Sequence, residues 1–127
     1  MDFIITNSMK YLKHFLFVTT LLHSVSCSAQ NCKEPQDGFS TYSEVTDFLN
    51  STKFTYTDHC NTSKSSWVVS ASYYSCDNKQ GFFVFNTKKK TYTHKNVPKS
   101  VWLAFKKSDS FGKFYNDKIK GNYQLVF

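Results

Sequence analysis

Tyr92 and His94 stand two residues apart in the segment Thr91-Tyr92-Thr93-His94. On a strand both rings project from one face, and such a pair has the chemistry of a stacking and hydrogen-bonding platform for a base or a sugar. The competing reading packs Tyr92 against a helix carrying Trp102 and leaves His94 exposed. Lysines surround the pair: Lys88-Lys89-Lys90 and Lys95, then Lys106, Lys107, Lys113, Lys118 and Lys120. Flexible ammonium groups at that density attract polyanions. The candidate ligand-binding residues are therefore Tyr92, His94, Lys95, Lys106, Lys113, Lys118 and Lys120. The candidate partner is an anionic polymer (nucleic acid or acidic glycan) or an anionic membrane surface, the alternative being a solvated basic face with no partner. Every basic residue is Lys. Without Arg the chain lacks the bidentate fork that reads guanine and grips phosphate, so sequence-specific readout is not expected.

Covalent and metal chemistry have less to work with. The cysteines are Cys27, Cys32, Cys60 and Cys76, with no CxxC among them and only His59 adjacent to one. A structural zinc site needs about four ligands at motif spacing, so no metal and no cofactor are expected. If Cys27 is removed by processing, one disulfide is possible among Cys32, Cys60 and Cys76, and all three pairings stay open. Ser108-x-Ser110-x-Gly112 either caps a helix or turns its amides toward a phosphate. No glycine-rich phosphate loop, HExxH or paired-carboxylate motif is present. A hydrolase built on Cys76 or His94 is the outlying reading, and the expectation is a protein that is not an enzyme.

The 127 residues suffice for one domain. Charge divides the chain unevenly. Residues 1–29 carry +1, residues 30–64 carry −2, and residues 65–127 carry +8, from eleven Lys against three Asp. The N-terminal stretch reads as an export signal: Met9-Lys10-Tyr11-Leu12-Lys13 is a basic start, Phe15 to Leu22 an apolar core, and Ser24 to Ala29 a run of small residues. Cleavage after Ala29 leaves Gln30 first; lipidation at Cys27 is the rival outcome. The expected divisions are a signal peptide over 1–29, a leader with a short helix and strand over 30–64, and a domain over 65–127. The protein is then periplasmic, envelope-bound or secreted.

The elements that must position the candidate residues follow from patterning. Thr41-x-x-Glu44 is a capping box opening a helix over roughly 41–50. Residues 53–57 alternate as a short strand, and 58–66 read as polar loop. Trp67, Val69, Ala71 and Tyr73 alternate as the apolar face of a strand. Asp77 to Gly81 is a turn, and Phe82-Phe83-Val84-Phe85, apolar on both faces, is a strand covered on each side. Thr91 to His94 is the next strand. Pro98 opens a helix with Val101, Trp102 and Phe105 on one side. A last helix carries Phe111, Phe114, Tyr115 and Ile119 and ends at Gly121, with 123–127 a closing strand. The fold class is α+β: an antiparallel meander of three to four strands, then two short helices, preceded by a short N-terminal helix. Phe83, Phe85, Val101, Trp102, Phe105, Phe114 and Ile119 are the expected core.

Ser65-Ser66-x-Val68, Tyr73, the aromatic strand, Tyr92-x-His94, Val97-Pro98, Val101-Trp102, Ser110-x-Gly112-x-Phe114-Tyr115-Asn116 and Ile119 occur in that order. The ordered set resembles the KTSC domain, a small module also found at the C-terminus of some lysyl-tRNA synthetases, over residues 65–124. Two positions depart from its pattern. The family's central Tyr-x-Tyr is here Tyr92-x-His94, and its Gly and acidic residue beside the first strand's Tyr are here Ser72 and Tyr74. The resemblance implies the fold but no established activity; RNA binding has been a suggestion for the family. The leading expectation is thus an exported, non-catalytic binding module with an anionic ligand. The alternative is RNA or single-stranded nucleic-acid binding through the basic half.

Overall fold

The computed structural model describes residues 32–127, so the export segment expected at 1–29, Cys27 included, lies outside the described residues. Helix α1 (Tyr42–Ser51) begins where the capping box places it. The Thr41 hydroxyl accepts from the Glu44 amide at 3.2 Å, while the Glu44 carboxylate reaches back to the Ser40 amide at 2.7 Å. Four strands follow: β1 (Tyr56–Cys60), β2 (Val68–Ser75), β3 (Gln80–Thr87) and β4 (Thr91–Pro98). They pair in sequence order, each antiparallel to the next. Helix α2 (Lys99–Lys106) springs directly from Pro98, and helix α3 (Phe111–Phe114) runs on as a π-helical turn over Tyr115–Ile119. This is the α+β meander that the patterning predicts.

The sheet buries both faces. On one, Tyr73, Phe83, Phe85 and Val97 meet Trp102 and Phe105 of α2 and Phe111, Tyr115 and Ile119 beyond it. On the other, Phe82 receives Phe39, Phe48 of α1 and Phe54, with ring centroids 5.6–6.4 Å away. Two-sided burial is why β3 reads as an unbroken apolar run. Val101 and Phe114 pack at the margin of the core and are only partly buried, while Tyr73, Val97, Phe111 and Tyr115 complete its centre.

The structure moves three local features. β1 starts at Tyr56 rather than Lys53, so Asp58, His59 and Cys60, expected in a loop, are strand residues paired with Tyr73, Ser72 and Ala71. The alternation in β2 is broken by a bulge between Val68 and Ser70, which turns Val69 to solvent (60% exposed) and puts Val68 with Ala71 and Tyr73 in the core. An extra residue shifts every preceding side chain by one face. The tail forms no full strand: it binds the outer edge of β4 through Thr93 N–H to Phe127 O and Val126 N–H to Thr93 O, both 2.7 Å, and Lys95 N–H to Gln124 O at 3.0 Å. That pairing covers an edge otherwise open to other chains.

The segment before residue 65 is built into this sheet rather than set beside it. β1 is an edge strand of the sheet, α1 covers its second face, and Cys32 is joined to Cys76 at the end of β2. The open pairing among Cys32, Cys60 and Cys76 resolves as Cys32–Cys76, with Cys60 a free thiol. Glu34 adds an ion pair to Lys95 on β4 at 3.1 Å.

Two glycines are required where they stand. A Cβ on Gly112 would collide with the Trp67 ring, which lies against the start of α3. Gly121 has φ +79°, the left-handed conformation that ends a helix without Cβ strain.

Candidate functional site

The aromatic pair on β4 is divided by the fold. Tyr92 pairs across the sheet with Phe85, and His94 with Phe83, so both face α2 and α3. His94 is 2% exposed, which corrects the expectation of a solvent-facing ring. Its Nδ1 lies 3.1 Å from the Tyr123 carbonyl and its Nε2 2.9 Å from the Tyr115 hydroxyl. A carbonyl only accepts, so Nδ1 carries the hydrogen and Nε2 accepts from Tyr115. Both ring nitrogens are thus used up by internal bonds. Tyr92 is half-buried against the Tyr115 ring, 5.8 Å between centroids, and Lys90 Nζ stands 5.4 Å from its own ring centre. It packs on Tyr115, not on the Trp102 helix. A two-ring stacking platform is not formed.

Burial sets the chemistry of the His94 pair. Desolvation pulls the His94 pKa below its ordinary 6.5, outweighing the bond to the Tyr123 carbonyl, and pushes the Tyr115 phenol up to about 12. Because the folded pKa is depressed, the unfolded chain binds more protons as pH falls below about 6.5. This contribution is complete above that value and shrinks as pH descends toward the folded pKa. The His94 ring signals in an NMR titration should accordingly reach half-protonation below pH 6.5; a midpoint at or above it would contradict the buried, neutral ring.

The lysines sort into paired and open groups. Lys95 binds Glu34, Lys106 binds Asp58 at 2.6 Å, and Lys113 binds Asp117 at 2.7 Å. Two of these three partners come from the acidic segment before residue 65, so that segment neutralises chosen lysines of the basic half. Lys118 and Lys120 are exposed and have no ion pair among the described residues. The same holds for Lys88, Lys89 and Lys90 in the β3–β4 turn. The candidate set thus splits: Lys118 and Lys120 face solvent, Lys113 is an exposed member of a surface pair, and Lys95 and Lys106 serve internal bonds.

Asp58, which sequence reasoning placed in a loop, organises the other end of the molecule. Its Oδ2 accepts from Lys106 Nζ, from Trp102 Nε1–H at 2.9 Å and from the Tyr56 hydroxyl at 3.1 Å, and its Oδ1 from the His59 amide at 2.9 Å. Burial opposes the charge, but these donors outweigh it and hold the carboxyl at about 2. The Tyr56-x-Asp58-x-Cys60 alternation was the available signal for a strand here. The carboxylate is saturated with donors and serves structure.

Neither residue expected for a hydrolase is open to a substrate. Cys76 is in the disulfide and His94 is enclosed. Ser110 caps α3 through the Lys113 amide at 3.3 Å, and the Ser108 hydroxyl donates to the Phe105 carbonyl. No group of three His, Cys, Asp or Glu side chains suited to a metal occurs among the described residues. No helix among them is long and apolar enough to cross a membrane.

A four-stranded antiparallel meander with helices packed on an aromatic face defines a small α+β domain. Residues 65–123, just under half of the chain, match the family model of the KTSC domain. Comparison with curated proteins gives no match, and comparison with solved structures gives none either.

Proposed function

We propose that this protein is an exported, non-catalytic binding module of the KTSC type whose partner is anionic. The observation that carries the reading is the run Lys88-Lys89-Lys90, exposed at the tip of the β3–β4 hairpin and without an ion pair among the described residues. Three uncompensated ammonium groups on a protruding turn hold a positive potential that a carboxylate elsewhere on the fold does not quench. Export is supported by the basic and apolar pattern of residues 9–29 and by the Cys32–Cys76 disulfide, a bond that persists in oxidising compartments. The enclosure of His94 weighs against base stacking as the main source of affinity.

Titrating the native protein with a heparin-like polymer, single-stranded RNA and anionic vesicles at two salt concentrations tests the reading. Binding to at least one is expected, weakening steeply with salt. For RNA, the variant K88Q/K89Q/K90Q should show a salt slope shallower by about 2. Binding to none of them at low salt would leave the lysines a solvated surface. The intact mass of the native protein tests export, and a mass that retains residues 9–26 would reject it.

A further inference from the structure

The lysine turn, with Thr87 and Thr91 at its ends, lines a cleft of about 640 Å³ together with the large apolar side chains of Tyr42 at the start of α1 and Leu125 and Phe127 of the tail. That volume lies within the ~300–1,000 Å³ usual for small-ligand sites. Tyr42 and Leu125 are 49% and 47% exposed, so the floor presents large apolar side chains to water. No acidic side chain lines the cleft. A carboxylate on Phe127 would still leave the three lysines in excess. The floor is also preformed, because the tail is pinned along β4 by the backbone bonds at Thr93 and Lys95, and ordering it on binding costs little.

The turn's own amides are occupied. The Lys88 N–H donates to Trp67 O at 3.2 Å, and the Lys89 and Lys90 amides donate to the Thr87 hydroxyl at 3.2 and 3.0 Å. A bare phosphate or sulfate would therefore find mobile ammonium groups but no backbone cradle. Tight binding here requires a ligand that joins an anionic head to an apolar body. A second cleft of about 180 Å³ shares Tyr42 and Thr91 with the first and runs between α1 and the sheet beside Val45, Leu49 and Val84. Its lining mixes those apolar side chains with Thr46, Asn50, Asn86 and Thr93, so the apolar contact for a ligand comes from the first cleft. A concavity of about 640 Å³ has room for a single alkyl chain and does not present a flat face to a bilayer.

We propose that this cleft binds a single-chain anionic amphiphile of the long-chain carboxylate class, its head at Lys88–Lys90 and its alkyl chain on Tyr42, Leu125 and Phe127. The proposal rests on the anionic-partner reading for the charge of the ligand and adds the apolar half. Calorimetric titration of the native protein with dodecanoate, kept below its micelle concentration, tests it beside butyrate, an uncharged dodecyl glycoside and anionic phospholipid vesicles. Dodecanoate should bind, and butyrate and the glycoside should each bind at least about tenfold more weakly, since each lacks one half of the recognition. L125D and K88Q/K89Q/K90Q, both surface changes checked for an unaltered thermal midpoint, should each weaken dodecanoate by about tenfold or more. No dodecanoate binding at low salt, equal binding of butyrate, or unchanged binding in both variants would overturn the assignment, as would binding to vesicles alone. If polyanions bind while dodecanoate does not, the cleft proposal fails by itself. If the glycoside binds as well as dodecanoate and no polyanion binds, it is the anionic reading that falls, and this proposal with it.

Discussion

Replacing Trp102 with alanine is expected to remove about 3–5 kcal/mol of folding stability, the range for deleting a large ring from a packed core. Trp102 is fully buried, stacked on Tyr73 at 5.6 Å with 11° between planes, stacked on Phe105 at 5.7 Å, and edge-on to Phe83. Its indole N–H is also one of the donors that hold Asp58 ionised on β1. The loss therefore combines an unfilled cavity with a weakened tie between α2 and the edge strand. Trp102→Phe keeps most of the ring contact and drops only the donor, and should cost about 1–3 kcal/mol. Phe114→Ala, at the margin of the core, should cost less than Trp102→Ala. Urea unfolding of the three variants gives the comparison. Equal midpoints for Trp102→Ala and the parent would mean that α2 does not pack on the sheet as described.

Cutting the Cys32–Cys76 bond should have the next largest effect. The two cysteines are 44 residues apart in sequence, so the bridge closes a loop that spans α1, β1 and all of β2. Chain-entropy reasoning puts the stabilisation from a loop of that length at roughly 4 kcal/mol, with about 2–4 kcal/mol usual in practice. The paired change C32S/C76S, or reduction with dithiothreitol, should lower the unfolding midpoint accordingly. Cys60→Ser should leave it nearly unchanged, because Cys60 has no disulfide partner. A C32S/C76S protein as stable as the parent would show that the leader adds nothing through this bond. Coincidence of the reduced and oxidised curves would say the same.

The two changes probe parts of the molecule that differ in how legible they were. The central strand was readable because Phe82 to Phe85 can only be satisfied by burial on both faces, and α1 because Thr41 and Glu44 carry the whole capping signal within four residues. The pattern Pro98, Val101, Trp102, Phe105 likewise marks a helix and its buried side. β1 was misplaced because alternation continues from Lys53 through Cys60, and only pairing with β2 selects which part is strand. The bulge at Val68–Ser70 leaves no mark in composition, so the face assignment of Val69 failed while those of Ala71 and Tyr73 survived.

The candidate site shows the same division more sharply. Local residue types decided the charge asymmetry, the α+β meander and the ordered residues of the KTSC domain, because each depends on neighbours a few positions apart. Tertiary structure alone decided that His94 is enclosed by Tyr115 and Tyr123, 21 and 29 residues further along, and so is not a surface ligand. It also decided which lysines are neutralised, since Lys95 and Lys106 find their carboxylates 61 and 48 residues upstream. The cleft needs three separate segments, at Tyr42, Lys88–Lys90 and Leu125–Phe127, brought to one corner of the sheet. Side-chain type and short spacing travel with the chain, whereas exposure, ion pairing and concavity arise only when distant segments meet.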